Sequence, residues 1–169
     1  MRWTWARLPE LAVDDLYDAL ALRARVFVVE QACAFQDPDG TDRHAWHLVG
    51  RDENGVLTAY LRVVDAPETN PVRVEPVEAP LEVEPVRAEL VEAPSIGRVV
   101  TAPEHRGTGL GRMLFAEGLA RCLATWPGRG IRLNAQARLE RFYAGFGFAR
   151  AGPDFLEDGI THIPMWRAP

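Results

Sequence analysis

The chain has 169 residues, enough for one domain whose core is stable without staples. Its hydrophobic content of 47% and charged content of 25% are ordinary for a globular protein in water; no apolar run approaches the ~20 residues of a membrane span, and residues 1–7 lack the apolar core and cleavage site of a signal peptide, so the cytoplasm is expected. A net charge of −5 argues against nucleic acid and mildly favours a neutral or cationic small substrate, while Cys33 and Cys122 are too few and too isolated for a disulfide framework or a zinc site and read as reduced thiols.

Residues 3–7, with Trp3 and Trp5 on one face, predict a short first strand. From Val13, apolar residues recur at Leu16, Tyr17, Leu20, Ala24 and Phe27, the spacing of one helix face, and Asp14 and Asp15 sit where a helix start favours carboxylates. A long first helix is expected, followed by an acidic loop, Gln36-Asp37-Pro38-Asp39-Gly40-Thr41-Asp42. Asp37-x-Asp39 imitates the start of a calcium loop, but the glycine stands fourth instead of sixth and the twelfth position is Leu48, which offers no carboxylate. The loop is expected to be a solvated turn, with a substrate rim as the alternative. Residues 44–49 and 56–64 read as two strands joined through Asp52-Glu53-Asn54-Gly55.

Residues 66–94 break the pattern. The ten residues from Pro71 to Pro80 recur 14 positions later, from Pro85 to Pro94, with eight of ten matched. Proline at that density blocks both a helix interior and a central strand, and loop-closure entropy grows slowly with length, so the segment is expected to be a Pro-rich insertion between two strands of a sheet that closes without it.

Residues 99–113 read strand, loop and helix: an apolar run ends in a turn rich in Gly and Pro, and an amphipathic pattern (Phe115, Gly118, Leu119, Cys122, Leu123) follows. Gly107, Gly109 and Gly111 leave the backbone bare, and a helix N-terminus aims unpaired N–H groups at whatever lies there, which describes a phosphate cradle. A Walker loop is excluded because Arg112 and Met113 follow Gly111, and a dinucleotide fingerprint because Arg112 stands where its third glycine belongs. Beyond it, Ile131–Gln136 alternates as a strand, Leu139, Phe142, Tyr143 and Phe146 mark one helix face closed by Gly147, and Glu157-Asp158-Gly159-Ile160 turns a hairpin into a last strand over 161–166. Pro164 suggests an edge position for that strand.

The motif Arg106-x-x-Gly109-x-Gly111 resembles the pyrophosphate loop of the GCN5-related N-acetyltransferases (GNATs). The order of elements matches that fold over the whole chain apart from 66–94. Ile96-Gly97-Arg98-Val99-Val100 and Phe142-Tyr143-x-x-Phe146-Gly147-Phe148 sharpen the match; Leu22-Arg23-x-x-Val26-Phe27-Val28-Val29-Glu30-Gln31, with Glu157-Asp158-Gly159-Ile160-x-His162-Ile163, resembles the ElaA-type subgroup. The resemblance implies an α/β (α+β) protein of a single domain, 1–169, with a central mixed, mostly antiparallel sheet flanked by helices. The chain departs from the subgroup in the 66–94 insertion and in an acidic loop shortened after Asp42.

What the resemblance implies chemically is transfer of an acetyl group from acetyl-CoA, as cosubstrate and without a metal, to an amine of a small molecule or peptide. Nucleic acid and membrane are not expected partners, and a homodimer stays open. Coenzyme binding falls to the strand residues Arg98, Val99, Val100 and Thr101, to the loop Arg106, Gly107, Thr108, Gly109, Leu110, Gly111 and Arg112, and to Asn134 and Tyr143. Tyr143 matches the family's general acid, since a phenol with an ordinary pKa near ~10 suits protonating a thiolate; otherwise it is a core aromatic beside Phe142 and Phe146. Glu30, His47 and His162 are candidates for the base, and Arg98 is a candidate partner for Glu30 or the acidic loop. Two alternatives stay open. The Arg23-x-x-Val26-Phe27 segment also resembles acyl-homoserine-lactone synthases, which have no need of the pyrophosphate loop, and a non-catalytic acetyl-CoA sensor would keep the loop without needing Tyr143.

Overall fold

The computed structural model describes residues 1–65 and 93–169, so the insertion expected over 66–94 lies outside the described residues except for Ala93 and Pro94. The strands are β1 (Arg2–Arg7), β2 (Ala45–Arg51), β3 (Leu57–Val64), β4 (Ser95–Thr101), β5 (Ile131–Gln136), β6 (Ala149–Arg150), β7 (Phe155–Glu157) and β8 (Ile160–Arg167). They form one mixed sheet in the order β1-β2-β3-β4-β5-β8-β6, with β7 also on β8. Among the described strands only β4 and β5 run parallel. The helices are α1 (Val13–Arg23), α2 (Leu110–Thr125) and α3 (Glu140–Ala144).

Alternation along the central strands sends side chains to both faces, and both faces are covered. Leu48, Leu61 and Val63 join Leu114, Phe115 and Leu119 of α2 on one side; Val49, Tyr60 and Val100 join Ala19, Leu22 and Val26 on the other. That is why residues 57–63 are all buried and why β3 reads as a nearly unbroken apolar run. The first strand forms as expected and pairs with β2 from Arg2↔Arg51 to Arg7↔Trp46. Trp3 lies over Gly50 and Trp5 stacks on Trp46 with 5.1 Å between ring centroids.

Two local expectations change. Helix α1 ends at Arg23 and continues as a π-helical segment, Ala24–Glu30, a wider winding that often accompanies functional sites. Strand β8 is not an edge, because β5 flanks one side and β6 and β7 the other. Pro164 is accommodated there because β6 pairs with residues 165 and 166 and β7 with residues 160 to 162. Its ring therefore falls at the break between the two short strands, where its carbonyl accepts the Ala151 N–H at 2.8 Å. Helix α3 closes as expected with a Schellman motif: Phe148 N–H bonds the Tyr143 carbonyl, Gly147 N–H bonds that of Ala144, and Gly147 takes φ +85°.

Helix α2 approaches β3 through Gly118. A Cβ placed there would lie 2.5 Å from Leu61 Cδ2, and Leu61 is fully buried. Gly118→Val is therefore expected to lower unfolding stability by about 1–3 kcal/mol through overpacking, read as a lower urea midpoint with the slope unchanged.

Candidate active site

The parallel pair β4–β5 holds together at only two positions, Ser95↔Arg132 and Ile96↔Leu133. Beyond them the strands diverge toward their C-terminal ends and open a cavity of about 690 Å³. On its other edge β4 carries a bulge: Tyr60 faces Val100 and Arg62 faces Gly97, so Arg98 and Val99 together oppose the single residue Leu61. Arg98 adopts φ +52°, a left-handed conformation that costs a non-glycine residue roughly 1–2 kcal/mol. Strain of this kind persists only where surrounding contacts over-determine it.

Those contacts form a closed ring of six alternating charges. Arg23 donates to Asp37 (2.9 Å) and to Asp42 (2.8 Å), and Arg62 donates to Asp42 (2.9 Å) and, through both terminal nitrogens, to Asp39 (2.9 Å). Arg98 closes the ring onto Asp37 (2.8 Å) and Asp39 (3.3 Å). Arg23 is 1% exposed and Asp37 2%, so the acidic loop is a solvated turn only in part: Pro38, Asp39 and Gly40 are exposed, while Asp37 and Asp42 are buried. Its two ends are folded inward because three arginines on α1, β3 and β4 give its carboxylates partners that water would otherwise supply.

Beneath the ring runs a chain of neutral groups. His47 Nε2 lies 2.9 Å from the Asp42 carbonyl and Nδ1 lies 2.7 Å from Tyr60 Oη. Nε2 must therefore carry the proton and donate to the carbonyl, and Nδ1 accepts from the Tyr60 hydroxyl. Burial holds His47 below its ordinary pKa. Burial alone would raise Asp39 and Asp42, but the hydrogen bonds and charge of Arg62, joined for Asp42 by those of Arg23, hold both below the usual carboxylate range. Of the three expected base candidates, His47 is the one that does not line the cavity.

The other candidates do. Tyr143 is 6% exposed, caged edge-on by Phe115 (4.9 Å), Phe142 (5.0 Å) and Phe148 (6.5 Å), and burial pushes its hydroxyl up to about 12. No hydrogen bond engages that hydroxyl among the described residues. His162 Nδ1 lies 2.9 Å from the Ile160 carbonyl, and the ring stacks on Phe155. Glu30 is held by Arg106 through two hydrogen bonds of 2.7 and 2.9 Å, which keep its carboxylate below the usual range. Arg98 pairs with the acidic loop and not with Glu30.

Of the expected coenzyme residues, Arg98, Val99, Val100, Thr101, Arg106, Gly111, Asn134 and Tyr143 line the cavity. Gly107, Thr108, Gly109, Leu110 and Arg112 do not: Leu110 is in the core, Thr108 Oγ1 donates to the His105 carbonyl, and Arg112 lies over the Phe146 ring. Gly109, at φ +87°, is the N-cap of α2, and the first-turn N–H groups of Leu110 and Gly111 have no carbonyl within the helix to bind. A Cβ at Gly111 would meet no protein atom within 4 Å, so packing does not demand a glycine there. Sequence reasoning missed Cys33, Phe35 and Asp158, which also line the cavity; Cys33 Sγ contacts the Asp158 carbonyl at 3.6 Å. Among the described residues no group of side chains is arranged to hold a metal, and no helix is long and apolar enough to cross a membrane.

A splayed parallel pair with a bulged strand and a glycine loop at the start of the next helix is the architecture of acyl-CoA N-acyltransferases. The family model for the acetyltransferase (GNAT) domain matches residues 87–168. A UPF0039 protein of Synechocystis is 36% identical over 98% of this chain and 94% of its own length. The crystal structure of an acyl-CoA N-acyltransferase from Pseudomonas aeruginosa superposes with a TM-score of 0.80 at 35% identity, covering 99% of this chain and 100% of the other. That of Escherichia coli ElaA gives 0.80 at 34%, covering 98% of each chain. The chain belongs to the GCN5-related N-acetyltransferase family, in its ElaA-type subgroup. The acyl-homoserine-lactone synthase LasI, at 15% identity and a TM-score of 0.71, shares the fold alone. Family membership supports a transferase that uses an acyl-CoA donor.

Because the native pKa values of Asp39, Asp42 and His47 all lie below their ordinary values, the unfolded chain binds more protons than the native one, and stability falls on acidification. The His47 contribution is complete above pH ~6.5 and is lost as pH falls below it; the aspartate contribution is complete above pH ~3.9 and is lost below that. Melting temperatures measured from neutral pH downward are expected to show a shallow decline and then a steep one. A melting temperature that stays level to pH ~3 would exclude the ring from the stability of this protein.

Proposed function

We propose that this protein transfers an acetyl group from acetyl-CoA to an amine carried by a small molecule or peptide. The observation that carries the reading is the placement of the free Tyr143 hydroxyl in the same cavity as the bulged backbone of β4 and the first turn of α2. Acetyl-CoA supplies the activated thioester. The space beside Gly111 and the unpaired N–H groups of Leu110 and Gly111 suit a pyrophosphate, which needs close backbone approach and a positive helix end. The edge of β4 turned away from β3 is left unpaired after Ile96, so its N–H and C=O groups are free for the amide-bearing pantetheine arm, and an N–H near Val99 suits the thioester oxygen.

Tyr143 then acts as the general acid. Its hydroxyl stays protonated at neutral pH because burial disfavours the phenolate, and the departing thiolate is the base it serves. His162 is the better-placed base. Its Nδ1 donates to the Ile160 carbonyl, which fixes the tautomer and leaves the Nε2 lone pair to take the amine's proton. Glu30 is the weaker choice, because Arg106 stabilises its charged form.

Gly111→Val adds a side chain that the protein itself tolerates, so the variant is expected to fold normally and to bind acetyl-CoA much more weakly. Unchanged affinity would remove the loop from the coenzyme site. Tyr143→Phe keeps the packed ring and removes only the hydroxyl. Coenzyme affinity and stability are expected to hold while the single-turnover rate of thiol release, measured across an amine panel, falls by ~10²–10⁴-fold. An unaltered single-turnover rate would leave Tyr143 a core residue, and absence of thiol release from the parent protein with every amine would favour a sensor.

A further inference from the structure

The Glu30–Arg106 pair is a second use of the same cavity mouth. Glu30 closes the π-helical segment Ala24–Glu30, and Arg106 is the first residue of the glycine loop, 76 positions later. Both line the cavity, and the carboxylate meets the guanidinium with both oxygens, at 2.7 and 2.9 Å. This two-oxygen face is what a phosphate group presents to the same guanidinium fork. Resting on the coenzyme reading above, we propose that Glu30 is an internal counter-ion of the pyrophosphate subsite, occupying Arg106 until the coenzyme's pyrophosphate displaces it.

Three features support an exchange over a fixed strut. The two side chains are 41% and 45% exposed, so the pair is solvated and opens at little cost. A second ion pair, Arg25–Glu104, spans the same two segments and is not part of the exchange, which needs only the side chains of Glu30 and Arg106 to turn. The other cations that act on Glu30 are engaged elsewhere, Arg25 on Glu104 and Arg138 on the Gln136 side-chain oxygen at 2.8 and 3.1 Å. Displacement therefore leaves Glu30 without a hydrogen-bonded cation at the cavity mouth, and coenzyme binding carries the cost of breaking its ion pair.

A structural strut and a displaced counter-ion predict opposite signs. Titration calorimetry with CoA on the full chain at low ionic strength, for the parent, Glu30→Gln, Arg106→Gln and the double variant, reads the difference. Glu30→Gln is expected to tighten CoA binding about two- to five-fold, the amount an exposed ion pair of ~0.4–1 kcal/mol is worth. In the Arg106→Gln background the same substitution is expected to change nothing, because no guanidinium remains to be released. Weaker or unchanged CoA binding in Glu30→Gln overturns the exchange, and an equal gain with or without Arg106 overturns it in favour of general charge repulsion. A parent protein that binds no CoA overturns the coenzyme reading itself, and the exchange with it.

Discussion

The ring of Arg23, Asp37, Arg98, Asp39, Arg62 and Asp42 is the constraint on which the cavity depends. Each charge has two partners of opposite sign, so desolvating the group as a whole is offset, and removal of any one member takes one of its two partners from each neighbour. Breaking a buried pair such as Arg23–Asp37 typically costs about 3–5 kcal/mol, and Arg98 is tied to that pair through Asp37 and to Arg62 through Asp39. The ring can therefore hold Arg98 at positive φ. It also gathers the end of α1, the acidic loop, β3 and β4 at one point. The bulge that follows from it re-aims the backbone of β4, and the re-aimed backbone is what the cavity offers to a ligand.

The opposite wall is set by aromatic packing. Phe115 of α2 contacts Phe142, Tyr143, Phe146 and Phe148, all edge-on, at centroid distances of 4.8 to 5.9 Å. Such a cluster fixes ring orientation more tightly than aliphatic packing does. Tyr143 is thus both a core residue and a candidate acid: its ring is one of the cluster and its hydroxyl is the part left unpartnered. The two descriptions, which compete when only the spacing of Phe142, Tyr143 and Phe146 is known, describe different atoms of one side chain.

Polar groups inside the fold divide by partner. His47 and Tyr60 are spent on each other and on the Asp42 carbonyl, while His162 is tied at one nitrogen only. The same residue type is therefore structural in one place and available in another. Phe27 and Phe35 flank the Arg98 guanidinium at 6.0 and 5.2 Å, so the ring that shapes β4 is capped by apolar residues facing the cavity.

Much of this was legible in the residues themselves. Local chemistry determined the elements: periodicity marked α1, the β2–β3 hairpin and α2, the glycines at 107, 109 and 111 marked the loop before a helix, and Gly147 marked the turn after Tyr143, because each of these depends on neighbours in sequence. Two signals were present but unread. Arg23 continues the buried face of α1, and Arg62 stands within an otherwise apolar strand; a charge at an inward position requires a counter-charge, and the adjacent acidic loop held three. Which carboxylate meets which guanidinium was decided by tertiary structure alone, since Asp37 and Arg98 are 61 positions apart and Glu30 and Arg106 are 76. The position of Pro164 was decided the same way, by two short strands that leave a gap beside it. Pairing, burial and the divergence of β4 from β5 belong to the assembled chain, because they are set by what packs against a residue and not by what precedes it.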